Sequence, residues 1–463
     1  MITSIQVDGF KTLSEFRLSL NPGLNILVGP NGAGKTNIVS FFEFLAHLVE
    51  SGPSEATSRL GGAGAVFRRV TDTYQAKITA TVTGIYSLDQ DNPFGFRVQS
   101  DEEKGKHAQY EYSFALLFSN DLESVVFTQQ RLRYKRTTSS RPPDVEVSAT
   151  QNWDIDVELT VDQEMKTKAK IRNLTEEVGE FLPFYRPDTK NRVAAIRDAE
   201  EFLPKVVTPN TSIPSTIVRF NPRLMLLSED ITGGQTYNII PSRVKLPEDS
   251  AKPPGISSDG SGLSATLYSL KRRNISPDFR PWAFFAPGHE RALKRTTLKT
   301  LKGYFQLANT SIEDLDISND PFNNQIRVSF LIKNGDYKAT VPLSLMSDGT
   351  LKWMTLITAA LTVSSVFSIE EPENYLHPQM QGQFIKIMRE ILFTERKHGC
   401  TLMTTHSETL LNHCKPSELI VVSLKNGRTV GVRCASEHDL SDEIEKTGFG
   451  LGYYYIAGAL QND

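Results

Sequence analysis

The sequence predicts an α/β fold that combines a mixed sheet, an antiparallel β subdomain and an inserted helical lobe. A short apolar run at 24–28 enters a glycine-rich loop and then a stretch with apolar residues at helical spacing. Three runs between positions 74 and 136 alternate apolar and polar residues, which indicates antiparallel strands. Two later apolar runs, one ending at Glu370 and one at His406, are typical of parallel strands buried on both faces.

Changes of pattern along the chain predict three segments. Residues 1–150 are expected to form the first part of the α/β domain, 151–310 a mainly helical insertion, and 311–463 the second part of the domain. Helical patterns occur in the insertion at 161–182 and 191–206. No sustained heptad repeat is present, so a long coiled-coil arm is not expected.

Length and composition describe a globular protein. The 463 residues exceed what one hydrophobic core supports, so two or more lobes are expected. The formal charge of -3 gives no overall basic signature for nucleic acid. The sequence shows neither a membrane-span pattern nor a signal-peptide pattern, and its three cysteines form neither a disulfide framework nor a metal motif. We therefore expect a cytoplasmic protein without a membrane partner.

The stretch "GPNGAGKT", residues 29–36, has the pattern Gly-x4-Gly-Lys-Thr between a strand and a helix, which indicates a phosphate-binding loop. Glycines let backbone N–H groups close around phosphate oxygens, and the N-terminus of the following helix adds partial positive charge. Lys35 is expected to reach the β- and γ-phosphates, and the Thr36 hydroxyl to bind Mg²⁺. A glycine-rich turn without a ligand is the alternative. The predicted nucleotide-binding residues of this segment are Pro30, Asn31, Gly32, Ala33, Gly34, Lys35, Thr36 and Asn37.

Several basic residues could make further contacts with phosphate groups, of a nucleotide or of a nucleic acid. Lys11, in the turn between the first two predicted strands, is either close to the nucleotide or an ordinary surface lysine. A larger group could contact the backbone of a nucleic acid or could form the solvated face of helices. The residues of that group are Lys271, Arg272, Arg273, Arg291, Lys294, Arg295, Lys299 and Lys302.

Two adjacent carboxylates, Glu370 and Glu371, stand at the end of a predicted buried strand in "SIEEPENYLHP", residues 368–378. Taken alone, they could be acidic residues of a solvated turn. However, ligands of open α/β sheets collect at the carboxyl ends of the strands. A further buried strand ends in His406, so the sequence predicts all three residues at the carboxyl ends of buried strands.

Four motifs, "GPNGAGKT", "LMSDGTL", "VFSIEEPENYLHP" and "TTHS", follow one another along the chain. They resemble the Walker A, signature, Walker B with D-loop, and switch-histidine motifs of the ABC-type ATPase head that the SMC, RecF and OLD families share. The resemblance covers about residues 1–50 and 340–410 well. It implies an ABC-type P-loop ATPase head that uses ATP and Mg²⁺ and releases ADP and phosphate.

The resemblance also implies a role for each motif residue. Glu371 matches the catalytic carboxylate that activates the attacking water, and His406 matches the residue that contacts the γ-phosphate. Glu370 would bind Mg²⁺ together with Thr36. These families more often have Asp at this position, so a slightly different metal geometry is expected.

The signature motif implies a dimer. Ser347, Asp348 and Gly349 match residues that bind the nucleotide held by another subunit, because in this fold a signature does not reach the phosphate loop of its own chain. We therefore expect an ATP-dependent head-to-tail homodimer with two composite sites. A Q-loop glutamine is not obvious, and Gln129 and Gln130 are candidates.

The segment after His406 bears on the partner. OLD nucleases carry a metal-dependent TOPRIM domain there, and the 57 residues present are too few for one, so no nuclease activity of its own is expected. The chain most resembles standalone PtuA-type ATPase subunits of Septu and retron antiphage systems, which control a separate HNH nuclease. Antiphage defence with an HNH-type nuclease partner is therefore expected. The alternative is a RecF-like DNA repair ATPase that binds DNA directly. Roughly 310 residues between Walker A and signature disfavour a transporter subunit.

Overall fold

The computed structural model describes most of the chain as strands and helices joined by short connections. The described residues are 1–87, 107–137, 153–174, 192–217, 224–275, 298–362, 367–395, 399–434, 444 and 446–458. The strands are β1 Ile2–Asp8, β2 Phe16–Ser19, β3 Gly23–Val28, β4 Arg69–Val70, β5 Thr73–Tyr74, β6 Lys77–Ser87, β7 His107–Ser119, β8 Ser124–Thr137, β9 Ile155–Val161, β10 Thr167–Leu174, β11 Gln235–Tyr237, β12 Glu248–Asp249, β13 Ile312–Asp320, β14 Gln325–Asn334, β15 Tyr337–Pro342, β16 Phe367–Glu370, β17 Cys400–Thr404, β18 Leu419–Lys425 and β19 Arg428–Arg433. The α-helices are α1 Lys35–Ser51, α2 Pro53–Arg59, α3 Ala63–Val66, α4 Arg192–Val206, α5 Ile213–Ile217, α6 Met225–Thr232, α7 Pro241–Val244, α8 Leu263–Ile275, α9 Leu298–Ala308, α10 Asp348–Thr362, α11 Pro378–Glu390, α12 Glu408–Leu411 and α13 Leu451–Ile456.

The chain divides into two compact units, and each is built from separate stretches of sequence. The first unit comprises Met1–Pro22, Gly29–Gly234 and Val422–Val432. The second unit comprises Gly23–Val28, Gln235–Val421 and Arg433–Asp463. The domain boundaries at 150 and 310 stay a prediction.

A seven-stranded antiparallel sheet dominates the first unit, in the order β10-β9-β8-β7-β6-β1-β2. Alternate residues of β7 are buried, among them Tyr110, Tyr112 and Phe114, as expected for a strand with one face on a core. The antiparallel strands predicted between 74 and 136 are thereby confirmed. Helix α1 contacts α2, α5 and α6 in the same unit.

The helix predicted over 161–182 is wrong in its described part, because the chain forms the hairpin of β9 and β10 there. Alternation in β9 buries Val157 and Leu159, and Asp156 accepts two hydrogen bonds of 2.8 Å from Arg131 of β8. This non-local pairing outweighs the helix-favouring Glu, Lys and Met residues of the stretch. Residues 175–182 lie outside the described residues, and the helix predicted at 191–206 is confirmed as α4.

A six-stranded sheet with the order β11-β16-β17-β3-β18-β19 forms the centre of the second unit. The first five of these strands pair in parallel, and every residue of β17 is buried. This confirms the buried parallel strands that the apolar runs predict. A separate antiparallel sheet has the order β12-β14-β13, with β15 paired to β14. The α/β fold class, with a mixed sheet and an antiparallel β subdomain, is therefore confirmed.

Helix α10 lies in the core of the second unit, and its residues from Thr350 to Thr362 are all buried. Such burial would leave threonine hydroxyls unsatisfied, but those of Thr355, Thr358 and Thr362 each donate to the carbonyl four residues earlier at 2.7 Å. One charged residue, Lys352, occurs in this buried stretch. Among the described residues, no helix is long and apolar enough to cross a bilayer.

Candidate functional site

The phosphate-binding loop follows β3 in the chain and ends where α1 begins at Lys35. Gly32 and Gly34 have φ angles of 79° and 98°, in the left-handed region that favours glycine. A Cβ at Gly34 would also lie 2.0 Å from the Thr429 hydroxyl oxygen. Helix α1 has no side-chain cap and no acidic residue in its first turn. Its N-terminus is therefore suited to an anion, because no capping side chain competes for its N–H groups.

Lys35 is buried, with 8% of its surface exposed, and its side chain turns back so that the ammonium contacts the start of the phosphate loop. The ammonium donates to the carbonyl oxygens of Gly29 at 2.7 Å and Pro30 at 3.0 Å. A phosphate placed in the loop would offer the ammonium charged acceptors in place of neutral carbonyls. The next residue, Thr36, is exposed in the first turn of α1.

Two threonines that the sequence analysis missed support this loop. The Thr12 hydroxyl accepts from the Asn37 side-chain amide at 2.7 Å and lies 2.6 Å from the Thr429 hydroxyl. Thr429 also donates its backbone N–H to the Thr12 carbonyl at 2.9 Å. Because Thr12 and Thr429 are 417 positions apart, no local pattern could have revealed the pair.

In the second unit, the predicted carboxylates stand at the carboxyl edge of the parallel sheet. Glu370 ends β16 and pairs with Thr404 at the end of β17, and Thr404 pairs with Leu27 near the end of β3. The following residue, Glu371, leaves the strand with a left-handed φ of 43°. Its N–H donates to the Thr404 carbonyl at 3.0 Å, and its exposed carboxylate accepts from the Asn374 amide at 2.8 Å.

Glu373, a third carboxylate of the same turn, holds the segment that carries His406. One oxygen of Glu373 accepts from the Thr405 hydroxyl at 2.8 Å and from the His406 backbone N–H at 2.9 Å. The His406 side chain itself is exposed. Glu373 thus ties the turn that carries Glu371 to the segment that carries His406, and the sequence analysis did not single it out although "EEPE" contains it.

The signature residues form the N-terminus of α10. The Ser347 hydroxyl caps this helix, since it accepts from the Thr350 N–H at 3.3 Å and lies 2.8 Å from the Thr350 hydroxyl. Asp348 pairs with Lys245 at 2.6 Å. A Cβ at Gly349 would lie 2.6 Å from the Tyr375 carbonyl oxygen, so only glycine lets this helix approach the turn after β16 so closely.

The Q-loop candidates have structural partners inside the first unit. Gln130 is 2% exposed; its side-chain oxygen accepts from the Tyr112 hydroxyl at 2.7 Å, and its side-chain nitrogen donates to the Thr211 carbonyl at 2.9 Å. Gln129 donates to Glu158 at 2.9 Å. These partners give neither glutamine the features of a nucleotide sensor, and no other Q-loop candidate emerges from the described residues.

The predicted basic group is only partly described. Lys271 pairs with Asp316 at 3.7 Å and Lys302 with Asp314 at 2.9 Å, both acidic residues of β13. These pairs offset two of the positive charges that a nucleic acid would need. Arg291, Lys294 and Arg295 lie outside the described residues. In the first unit, the Lys11 ammonium lies 5.6 Å from the Phe10 ring, and its role near a nucleotide stays a prediction.

Hard oxygen donors suit the Mg²⁺ that the motifs imply. The Thr36 hydroxyl and the Glu370 carboxylate are ligands of the kind that Mg²⁺ prefers. Within the described residues, no cluster of three or more His, Cys, Asp or Glu side chains could hold a metal by itself. Each of these two side chains is thus a suitable Mg²⁺ ligand by its chemistry, and their use of one cation stays a prediction.

A glycine-rich loop between a buried strand and a helix is typical of the P-loop class of nucleotide-binding proteins. The chain belongs to the family described as "AAA domain, putative AbiEii toxin, Type IV TA system", whose model matches residues 24–412. Membership of this family implies nucleotide binding.

Two curated relatives are similar over short segments. The chain is 32% identical over 83 residues to the DNA replication and repair protein RecF of Corynebacterium jeikeium (strain K411), which is 18% of each protein. It is 34% identical over 59 residues to the Septu protein PtuA of Bacillus thuringiensis, which is 13% of this chain and 14% of that protein. The matches thus span less than a fifth of either relative.

One solved structure is similar over nearly the whole chain. It is an SMC head bound to the C-winged helix domain of ScpA, and the similarity covers 93% of this chain and 97% of that one. The identity is 12% and the TM-score is 0.45.

Proposed function

We propose that the protein binds ATP with Mg²⁺ and hydrolyses it as a nucleotide-controlled switch. The observation that carries this proposal is the phosphate loop, in which left-handed Gly34, buried Lys35 and the uncapped start of α1 make an anion site of the kind a triphosphate needs. Lys35 would exchange its two carbonyl acceptors for phosphate oxygens. Thr36 and Glu370 would hold Mg²⁺, which supplies charge neutralisation at the phosphates.

Hydrolysis would rely on the residues at the sheet edge. Glu371, with an exposed carboxylate fixed by Asn374, would orient a water and take its proton. His406, whose backbone Glu373 holds, would contact the γ-phosphate. Ser347, with the start of α10, would bind the γ-phosphate of ATP held by a second subunit.

Two substitutions test this assignment by phosphate release and by binding of a fluorescent ATP analogue. Lys35→Ala should abolish binding, because the loop loses its only lysine. Glu371→Gln should keep binding and lower kcat by about 10²–10⁴-fold, the usual contribution of a general base. The matched controls are Lys77→Ala at the start of β6 and Glu164→Gln in the turn between β9 and β10, which change exposed side chains of the first unit and should behave as wild type. Normal turnover by Lys35→Ala would refute the ATPase proposal.

The composite dimer can be tested by mixing two inactive chains. Lys35→Ala disables the phosphate loop, and Ser347→Arg blocks the signature. In a dimer that contains one chain of each kind, the phosphate loop of the Ser347→Arg chain meets the signature of the Lys35→Ala chain, so the mixture should regain activity that neither chain shows alone. Continued inactivity of the mixture, with both chains folded and able to dimerise, would show that the sites are not shared between subunits.

We further propose that the switch acts on a partner nuclease in antiphage defence. The support is the short similarity to the Septu protein PtuA. The Glu371→Gln chain should capture the partner when ATP is present, and mass spectrometry after purification from the native cells should identify an HNH-type protein. Capture that is equal in Lys35→Ala would contradict control by ATP.

Direct DNA binding is the second candidate, and the similarity to a RecF protein favours it. A RecF-like ATPase should hydrolyse ATP faster when duplex DNA is added, and its affinity for DNA should fall steeply with salt. Fluorescence anisotropy of labelled duplex DNA measures this affinity. The salt concentration should be varied from about 50 to 200 mM, the range over which phosphate contacts weaken strongly. No binding at the lowest salt would remove this candidate.

A further inference from the structure

Lys352 is an unusual residue for its position, because it carries a charged group into the core of the second unit. It lies on α10, and only 1% of its surface is exposed. Burial lowers the pKa of its ammonium to about 8, although the nearby Glu373 and Glu371 carboxylates partly oppose this effect. A leucine or methionine would fill the same space without that cost, so the ammonium calls for an explanation in terms of its contacts.

The ammonium of Lys352 donates to the backbone carbonyl of Glu371 at 2.8 Å. It also lies 5.8 Å from the centre of the Tyr375 ring. The contact with the main chain matters because the carbonyl oxygen is part of a rigid peptide plane, so a hydrogen bond to it fixes the orientation of that plane. Lys352 therefore restrains the backbone of the proposed catalytic residue.

That backbone needs a restraint, because two residues of the turn are left-handed without being glycine. Glu371 has a φ of 43° and Tyr375 a φ of 67°. Such conformations cost of order 1–3 kcal/mol each and persist only where the surroundings enforce them. The Glu371 N–H is held by the Thr404 carbonyl, and the Lys352 ammonium holds the carbonyl on the other side of the residue.

The same helix touches the turn a second time, through its signature end. The close approach of Gly349 to the Tyr375 carbonyl places the start of α10 against the second left-handed residue. Helix α10 thus contacts the turn at both strained positions. A movement of the signature end would be transmitted to the Glu371 peptide.

We propose that Lys352 is a positioning residue, which holds the Glu371 peptide so that the carboxylate takes its productive orientation and which ties that orientation to the signature helix. This inference rests on the proposed role of Glu371 in ATP hydrolysis. Lys352 touches neither ATP nor water in this role; it acts through Glu371. A displacement of a reacting group by about 1 Å costs on the order of 10²-fold in rate.

The test compares Lys352→Met, whose unbranched apolar side chain is one heavy atom shorter, with wild type. Lys352→Met should lower kcat about 10²-fold and leave the affinity for a non-hydrolysable ATP analogue unchanged. Its thermal unfolding temperature should be equal or higher, because a buried charge is removed. Lys352→Arg, which keeps a positively charged N–H donor, should restore part of the rate. The matched control is Thr358→Val on the same buried helix, whose hydroxyl bonds only its own helix in the structure.

A double variant separates this inference from the proposed function. In Glu371→Gln, the added Lys352→Met should have no further effect on the residual rate, because Lys352 acts through the missing carboxylate. Equal rate losses in both backgrounds would overturn the inference, as would a kcat that falls together with stability and is not rescued by arginine. If Glu371→Gln alone turns over normally, both the base assignment and the positioning role are wrong. If Lys352→Met turns over normally while Glu371→Gln does not, only the positioning role fails.

Discussion

Gly32 and Gly34 form a matched pair within the phosphate loop, because both have left-handed backbones but only one is crowded. A Cβ at Gly32 would meet nothing within 4 Å, whereas a Cβ at Gly34 would lie 2.0 Å from the Thr429 hydroxyl oxygen. Substitution of each by alanine therefore separates backbone strain from steric overlap. The pair tests whether Thr429 packs against the loop at Gly34.

The expected magnitudes differ for this reason. Gly32→Ala should cost about 1–2 kcal/mol, the strain of a left-handed residue with a Cβ. Gly34→Ala adds an overlap that the Thr429 side chain can relieve only by rotating. That rotation costs about 0.5–1.5 kcal/mol in rotamer energy and a similar amount for the hydrogen bond to Thr12. The total for Gly34→Ala is therefore about 2–5 kcal/mol.

Chemical unfolding of the four chains, namely wild type, Gly34→Ala, Thr429→Ala and the double variant, measures the coupling. Thr429→Ala removes the two closest atoms, Oγ1 and Cγ2, so the double variant should recover about 1–3 kcal/mol relative to the sum of the single effects. Binding of a fluorescent ATP analogue should follow the same order. Strictly additive effects, or equal costs for Gly32→Ala and Gly34→Ala, would refute the packing of Thr429 on the loop.

Two further predictions concern the second unit. Arg389 donates two hydrogen bonds of 2.7 Å to Glu418 and one to the His413 carbonyl. Arg389→Lys should therefore lower the free energy of unfolding in urea by about 1–2 kcal/mol. The control Arg59→Lys, at an exposed ion pair, should change it by less than about 0.5 kcal/mol. The pKa of Lys352 is about 8 in the folded protein against an ordinary 10.5, so the unfolded chain binds more protons between these pH values. The stability of wild type relative to Lys352→Met should therefore rise by about 3 kcal/mol from pH 7 to pH 10.5, and a flat difference would contradict the burial of the charge.

The local sequence pattern predicted the strand, loop and helix that form the phosphate loop. The elements that it did not predict depend on pairing with distant parts of the chain. The strand, loop and helix around Lys35 could be predicted because glycine spacing and helical periodicity are contiguous in the sequence. The β9–β10 hairpin could not, since its composition favours helix and only pairing with β8 makes it a strand. For the same reason Glu373 and Lys352 escaped notice, because their roles depend on contacts with His406 and Glu371 that no spacing encodes.

The path of the chain explains why the phosphate loop depends on segments that are distant in the sequence. Strand β3 belongs to the second unit, where it pairs with β17 and β18 from the far end of the sequence, yet the loop that follows it belongs to the first. The segment Val422–Val432 returns to the first unit and brings Thr429 to Gly34. A cut at either sequence-based boundary would therefore leave β3 without its neighbours and the phosphate loop without Thr429. The phosphate loop thus depends on residues from both halves of the sequence, and its stability should be measured in a protein that contains them all.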